Sequence, residues 1–367
     1  MNDRFPGDPL LLKNYLQPEV EYTEHNQSQP RIITAHFFDI PFLCQENKEK
    51  GKEYLQHILR SNHGVLESKK IIEKLRLNYK IEKQEQIRNT SFVENDFVVP
   101  SSTSNKYNLK QISQKGAILL DLIQQLFPVP DFCVLTSNTF FSDAKEKETY
   151  LVDAIENLEK MTAMRFGNNT NPLVFAMRSA TSFYIPGFLP TYLNVGINET
   201  VYNALKGKYG VVVAEKIYIN NLQTIYKVLF PNDAGNEICR PVTSSFSITD
   251  IEGTIDILID KIGHHNKNIL TDTFLQISFL VDKIKEFFNT NKDLVYTLRK
   301  GDISYPSIIM QKMVWTVRND DSYPGVLYSR HSRTGIGQQI ESVRNIFGDD
   351  IMKIGRASCR ERVLTDV

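Results

Sequence analysis

From Leu109 onward the apolar residues keep changing their period, and no other property of the chain restricts its fold so strongly. Ile118, Leu119, Leu122, Ile123 and Leu126 recur at the three-and-four spacing that gives a helix one apolar face. Pro128 and Pro130 end that helix, and the next apolar run, 132–135, has the length and character of a short buried strand. A longer helix is predicted over about 138–161 with Leu151, Ile155 and Leu158 turned inward. A buried strand follows over 173–177, with Arg178 at its C-terminal end. Further helices are predicted over 199–205, 211–229, 248–262 and 271–288. Two strands, 307–317 and 325–329, would be joined by the polar turn Arg318-Asn-Asp-Asp-Ser322. Helices interleaved with short strands predict an α/β (α+β) fold.

The chain ahead of this region has a different texture. Between Asn47 and Arg88 charges alternate in sign around Leu55, Ile58, Leu59, Ile71, Ile72, Leu75 and Ile81, which predicts short amphipathic helices broken near Asn62-His63-Gly64. Pro100-Ser-Ser-Thr-Ser-Asn105 has the small hydroxyl residues of a linker. These features divide the chain into a mostly helical region, 1–105, without an assigned role and an α/β domain over 106–353. The decamer Ile354-Gly-Arg-Ala-Ser-Cys-Arg-Glu-Arg-Val363 looks like a translated sequencing adapter. The native sequence is therefore expected to continue differently after Lys353. The decamer carries three Arg and one Glu, so without it the formal charge is −2 instead of zero.

Composition excludes several classes of function. With 43 basic and 43 acidic residues there is no overall positive field for nucleic acid or an anionic membrane. No apolar run reaches the length of about 18 residues needed to span a bilayer. The opening Met-Asn-Asp-Arg-Phe-Pro-Gly lacks a basic stretch followed by an apolar one, so a cytoplasmic location is expected. Outside the decamer, Cys44, Cys133 and Cys239 are widely spaced, as reduced thiols would be.

Phosphate loops, zinc helices, nucleophile elbows and dinucleotide fingerprints are absent from the sequence. Three local features instead place a cation beside small or turn-forming residues. Ser113-Gln-Lys115-Gly116 opens the first helix, where an ammonium and free backbone N–H groups can meet an anion together. Arg178-Ser-Ala-Thr-Ser182 ends a buried strand and precedes Ile185-Pro-Gly187, so its guanidinium could fork onto phosphate oxygens. Arg330-His-Ser-Arg-Thr-Gly335 follows the last strand with two Arg and two hydroxyls. Taken singly, Lys115 reads first as an ordinary solvated lysine, Arg178 equally as a structural arginine capping carbonyls, and Arg330–Gly335 equally as a basic surface loop.

In order and at constant spacing, these features resemble one family. Asn171-Pro-Leu173, Arg178-Ser-Ala180, Ile185-Pro-Gly187 and Thr191-x-Leu-Asn-x-Gly-x-Asn198 are similar to the nucleotide-binding domain of pyruvate phosphate dikinases and phosphoenolpyruvate synthases, the dikinases more closely. Lys115-Gly116 stands at the family's Gly-Gly-Lys-Gly, and Gln311-Lys-Met-Val314 with Gly325-Val326 and Arg330 at its later segments. The resemblance covers about 109–353. It implies an ATP-grasp fold of two subdomains holding ATP and Mg²⁺ between them. In it Lys115, Arg178 and Arg330 would grip the triphosphate, with Gly116, Thr191 and Gln311 close to the nucleotide.

It further implies phosphoryl transfer to a carrier histidine on a downstream domain, and from there to pyruvate to form phosphoenolpyruvate. His264, His265 and His331 lack the context of that carrier. This sequence departs from the pattern in having Ser113-Gln114 for the paired glycines, Pro190 for an Asp, His331-Ser-Arg333 for Asn-Pro-x and Ile336 for a Glu. Asp349 and Asp350 are the nearest acids downstream, with no metal role assigned to them. The departures leave an alternative, a degenerate ATP-grasp module that senses nucleotide or binds a partner without catalysis.

Overall fold

A computed structural model describes residues 90–125, 127, 129–183, 188–233, 237–239, 248–299, 304–315, 325–328, 339–342 and 363–366. The chain divides into two compact units, one of residues 89–124 and 129–318, the other of residues 1–88, 125–128 and 319–367.

The first unit combines helices with short strands. Its elements are β1 (Val98–Pro100), α1 (Leu109–Gln124), β2 (Phe132–Leu135), α2 (Ala144–Thr162), β3 (Arg165–Phe166), β4 (Pro172–Leu173), β5 (Phe175–Ala180), β6 (Thr191–Val195), α3 (Glu199–Tyr209), α4 (Val211–Leu229), α5 (Ile248–Asn266), α6 (Asn268–Thr271), α7 (Thr273–Thr290), α8 (Lys292–Arg299) and β7 (Ser307–Lys312). Five strands form one antiparallel sheet in the order β1-β2-β7-β5-β6. In the second unit, β8 (Gly325–Tyr328), β9 (Gln339–Ser342) and β10 (Val363–Asp366) form a three-stranded antiparallel sheet with β9 central. The α/β class expected from the sequence is the class observed.

Strand periodicity decides what packs on each face of the five-stranded sheet. Cys133, Leu135, Phe175, Met177, Ile308 and Met310 point one way and join Leu151 and Leu158 of α2 with Ile277 and Leu280 of α7 in the main core. The alternate residues Val99, Phe132, Val134 and Ile309 point the other way, against Ile112 and Leu120 of α1. That second face, covered by one helix, is where the polar residues of interest fall.

Local chemistry sets several boundaries differently from the sequence expectations. The second helix starts at Ala144 and not at 138, because Asp143 accepts the Glu146 N–H at 2.8 Å while its own N–H reaches the Glu146 carboxylate at 3.2 Å. Residues Ser137–Phe141 form a 3₁₀ turn instead. The segment read as a linker is packed: Pro100 pairs with Cys133, and buried Ser101 accepts the Phe132 N–H. Arg178 does not end its strand, which runs on to Ala180 because β7 pairs with it through Ser307. The strand predicted over 307–317 stops at Lys312, and it lies in a different sheet from β8. The turn expected between them, Asn47–Arg88 with the rest of 1–89, and Ile185-Pro-Gly187 lie outside the described residues.

Candidate functional site

The register of β5, β6 and β7 gathers most of the residues singled out in the sequence. Arg178 pairs with Ile309 on one side and Thr191 on the other, and Gln311 pairs with both Ala176 and Phe132. Directly opposed residues of an antiparallel sheet project to the same side. Ile309 and Phe132 face α1, so Arg178, Thr191 and Gln311 belong to the α1 face as well. Gln311 is buried there and donates from Nε2 to the Pro130 carbonyl at 3.2 Å, while Thr191 is exposed.

Lys115 comes to this face from α1, and the helix is broken just before it. Ser113 has φ 65° and ψ 165°, values outside the helical region. The helix restarts beyond it, with the Gly116 N–H donating to the Ser113 hydroxyl at 3.4 Å in the manner of an N-cap. The Gln114 N–H leaves the helix altogether and donates to the Thr181 carbonyl at 3.2 Å, tying this turn to the chain just past β5. A Cβ added to Gly116 would find only ordinary contacts at 3.6–3.7 Å, so packing alone does not require glycine there.

Lys115 is half-buried, and the Arg178 guanidinium lies close enough to repel its charge. Burial first and that repulsion second hold the Lys115 pKa below the usual lysine value. Lys115 makes no ion pair with an acid among the described residues. Two cations from separate elements are thus brought together where burial weakens solvent screening. The chemistry such a pair offers is attraction and orientation of a polyanion. Arg330, the third cation of the expected site, lies outside the described residues, as do His331, Asp349 and Asp350. Among the described residues no group of three or more His, Cys, Asp or Glu side chains is placed to hold a metal ion.

Other candidates have structural roles. His264 is exposed and lies 3.2 Å from Asp260, and His265 packs edge-on against Phe230. Cys133 and Cys239 are buried free thiols, and burial pushes the Cys133 pKa up to about 12. No helix among the described residues is long and apolar enough to cross a membrane.

The run Thr191-x-Leu-Asn-x-Gly-x-Asn198 proves to be mostly scaffold, with little in its residue types to signal that role. Asn194, at φ 54°, accepts the Trp315 indole N–H at 2.8 Å and donates to Asn220 at 2.9 Å. Gly196, at φ 96°, donates its N–H to the buried Gln276 side chain at 2.9 Å. Asn198 caps α3 by accepting the Val201 N–H at 3.0 Å. Only the isolated polar residues within apolar helices, Asn221 and Gln276, hinted at this network.

Known proteins supply a further finding. No protein-family model matches the chain. Pyruvate, phosphate dikinase of Rickettsia conorii is 26% identical over 266 residues, covering 66% of this chain and 30% of that protein. The Entamoeba histolytica protein of the same name is 22% identical over 272 residues, with 67% and 30% covered. The chloroplastic one of Flaveria trinervia is 23% identical over 218 residues, with 54% and 22% covered. The chain is therefore a relative of the pyruvate, phosphate dikinase family, and it spans about 30% of the length of the first-matched members.

Proposed function

We propose that residues 106–353 are the nucleotide-binding region of a dikinase-type phosphotransferase, built as an ATP-grasp fold that holds the triphosphate of ATP. The observation that carries this reading is the convergence of Lys115 and Arg178 on the α1 face of the sheet beside Thr191 and Gln311. An anion is attracted by two cations on neighbouring elements, and phosphoryl transfer requires cations around a polyanion whose charge shifts in the transition state. Similarity to proteins named pyruvate, phosphate dikinase supports the choice of ATP over other polyanions. Arg330 would be the third cation. Mg²⁺ prefers oxygen ligands, and when bound it would neutralise developing charge on the phosphates.

In the whole protein, Lys115, Arg178 and Arg330 would hold and orient ATP, Gln311 would lie near the nucleotide, and a cytoplasmic downstream domain would carry the acceptor histidine that passes phosphate to pyruvate. A second reading, a nucleotide sensor without catalysis, is favoured by one observation: the backbone donors of the Lys115 turn are already engaged by Thr181 and Ser113.

Lys115 itself provides the test. Its lowered pKa leaves more free amine near neutrality than ordinary lysines have, so it should react faster with acetic anhydride, and saturating Mg-ATP should suppress that reaction severalfold. Equal labelling with and without Mg-ATP, measured by peptide mass spectrometry, would contradict the site. The sign of the pH dependence follows. Between the lowered folded pKa and the ordinary value the unfolded chain binds more protons, so the Lys115 contribution makes the free protein more stable as pH rises through that window. A bound triphosphate favours the ammonium and should remove that rise.

A further inference from the structure

We infer that the groove between α3 and α5 binds a linear aliphatic polyamine, whose ammonium groups would meet the buried Glu215 carboxylate and a row of acids along α5 while its chain lies against Tyr202 and Tyr218. The groove shares no residue with the face that carries Lys115 and Arg178, so the inference stands or falls independently of the nucleotide reading.

Three helices build the groove. On α3, Glu199, Tyr202 and Lys206 recur at three- and four-residue spacing and so share one face. On α5, Glu252, Asp256 and Asp260 recur every fourth residue, ~6 Å apart along the axis, and present a row of carboxylates to the same space. Buried Tyr218 of α4 lies at the base, its ring stacked on Tyr202 at 4.5 Å between centroids. The cavity measures about 740 Å³, enough for a small flexible molecule.

Glu215 is the residue that points to a ligand. It sits one turn before Tyr218 on the same face of α4, is only 1% exposed, and its Oε2 has no hydrogen-bond partner among the described residues. A buried carboxylate oxygen without a donor is costly, and folded proteins seldom leave one. Burial, then the charge of Glu252 on α5, push the Glu215 pKa up against a smaller lowering by Lys206 on α3. Burial, then Glu215 and Glu252, push the Tyr202 pKa up to about 12. A carboxylate coupled to both walls lies between them, at the base of the groove.

The charge and the rings select the ligand. Four lining acids and Glu215 face Lys206 and Lys267, and of those acids only Asp260 has an ion pair among the described residues, with His264. The Lys206 ammonium already lies 4.3 Å from the centroid of the Tyr202 ring, which shows that this ring suits an alkylammonium. The acids are spread along a helix and not gathered round one point, an arrangement that fits several ammonium groups on one chain better than a single metal ion.

The test is isothermal titration of the full chain with spermidine, repeated with magnesium chloride at matched ionic strength and with a short lysine-rich peptide. One spermidine should bind per chain, and Glu215→Gln, which removes the buried charge but keeps the shape of the side chain, should weaken it roughly tenfold. Tyr202→Leu should weaken it severalfold by removing the ring face, whereas Glu156→Gln, an acid of α2 outside the groove, should leave it unchanged. Thermal melts check folding: Glu215→Gln should melt no lower than the unmutated chain, because a neutral amide replaces an unpartnered buried carboxylate. Glu252 is exposed, so Glu252→Gln gives a second reading of the same loss without touching the core. No saturable spermidine binding, an equal response to magnesium, or unchanged affinity in both glutamine variants would overturn the polyamine site. Tight binding of the lysine-rich peptide with no response to spermidine would assign the groove to a protein partner and overturn it equally.

Discussion

Replacing Arg178 with alanine should weaken Mg-ATP binding by about 1.5 kcal/mol or more, which is at least a roughly tenfold rise in Kd by calorimetry. Arg178 sits within β5 between Thr191 and Ile309, on a sheet whose other face supplies the main core. Its main-chain pairing survives truncation, so the loss should appear in affinity and leave the chain folded. Arg178→Lys should recover only part of the binding, because an ammonium keeps the charge but loses the two-pronged guanidinium geometry. Removing the guanidinium also removes the repulsion that lowers the Lys115 pKa, so labelling of Lys115 should slow in the same variant. A Kd for Arg178→Ala within twofold of the unmutated chain would exclude Arg178 from the site.

Gly196→Ala should produce the largest loss of stability of any substitution considered, about 3 kcal/mol, through backbone strain and overpacking together. Gly196 has φ 96°, and a Cβ there would lie 2.3 Å from Phe166 Cε2. Phe166 cannot readily withdraw, since its ring stacks on the fully buried Phe175 at 5.5 Å between centroids. Urea unfolding can be followed through Trp315, the single tryptophan, whose indole is bonded to Asn194 two residues before the substitution. An unchanged midpoint would show that the turn after β6 is looser than its contacts imply.

These two positions mark how far the sequence could be read. Helix α4 was legible to the residue, and β2 likewise, because an uninterrupted periodic pattern or a short apolar run admits few alternatives. The start of α2 was not, because Phe140 and Phe141 supply apolar residues just ahead of the helix, while the Asp143–Glu146 capping box fixes its first turn at Ala144. Pro100–Asn105 has the composition of a linker, yet Ser101 is buried against a long-range partner, Phe132, and buried Thr103 bonds to Glu94, contacts that composition does not encode. At the site, Lys115, Arg178, Thr191 and Gln311 were each named from the sequence, and strand register places the last three on the face from which Lys115 approaches. The conformation of Ser113 was not legible, because sequence rules assign positive φ to Gly, Asn or Asp and give no reason to expect serine in a region that glycine alone populates freely. The family likeness of Asn194, Gly196 and Asn198 invited a functional reading, whereas their contacts hold β6 to α3, α4 and α7.

The central claim is that Lys115 and Arg178 form a site for the triphosphate of ATP. It is tested most directly by titrating the unmutated chain with Mg-ATP and, in parallel, with adenosine at the same salt concentration. Saturable binding of one Mg-ATP per chain, lost or strongly weakened for adenosine, is the predicted result. No heat of binding with Mg-ATP, or equal affinity for both ligands, would contradict it.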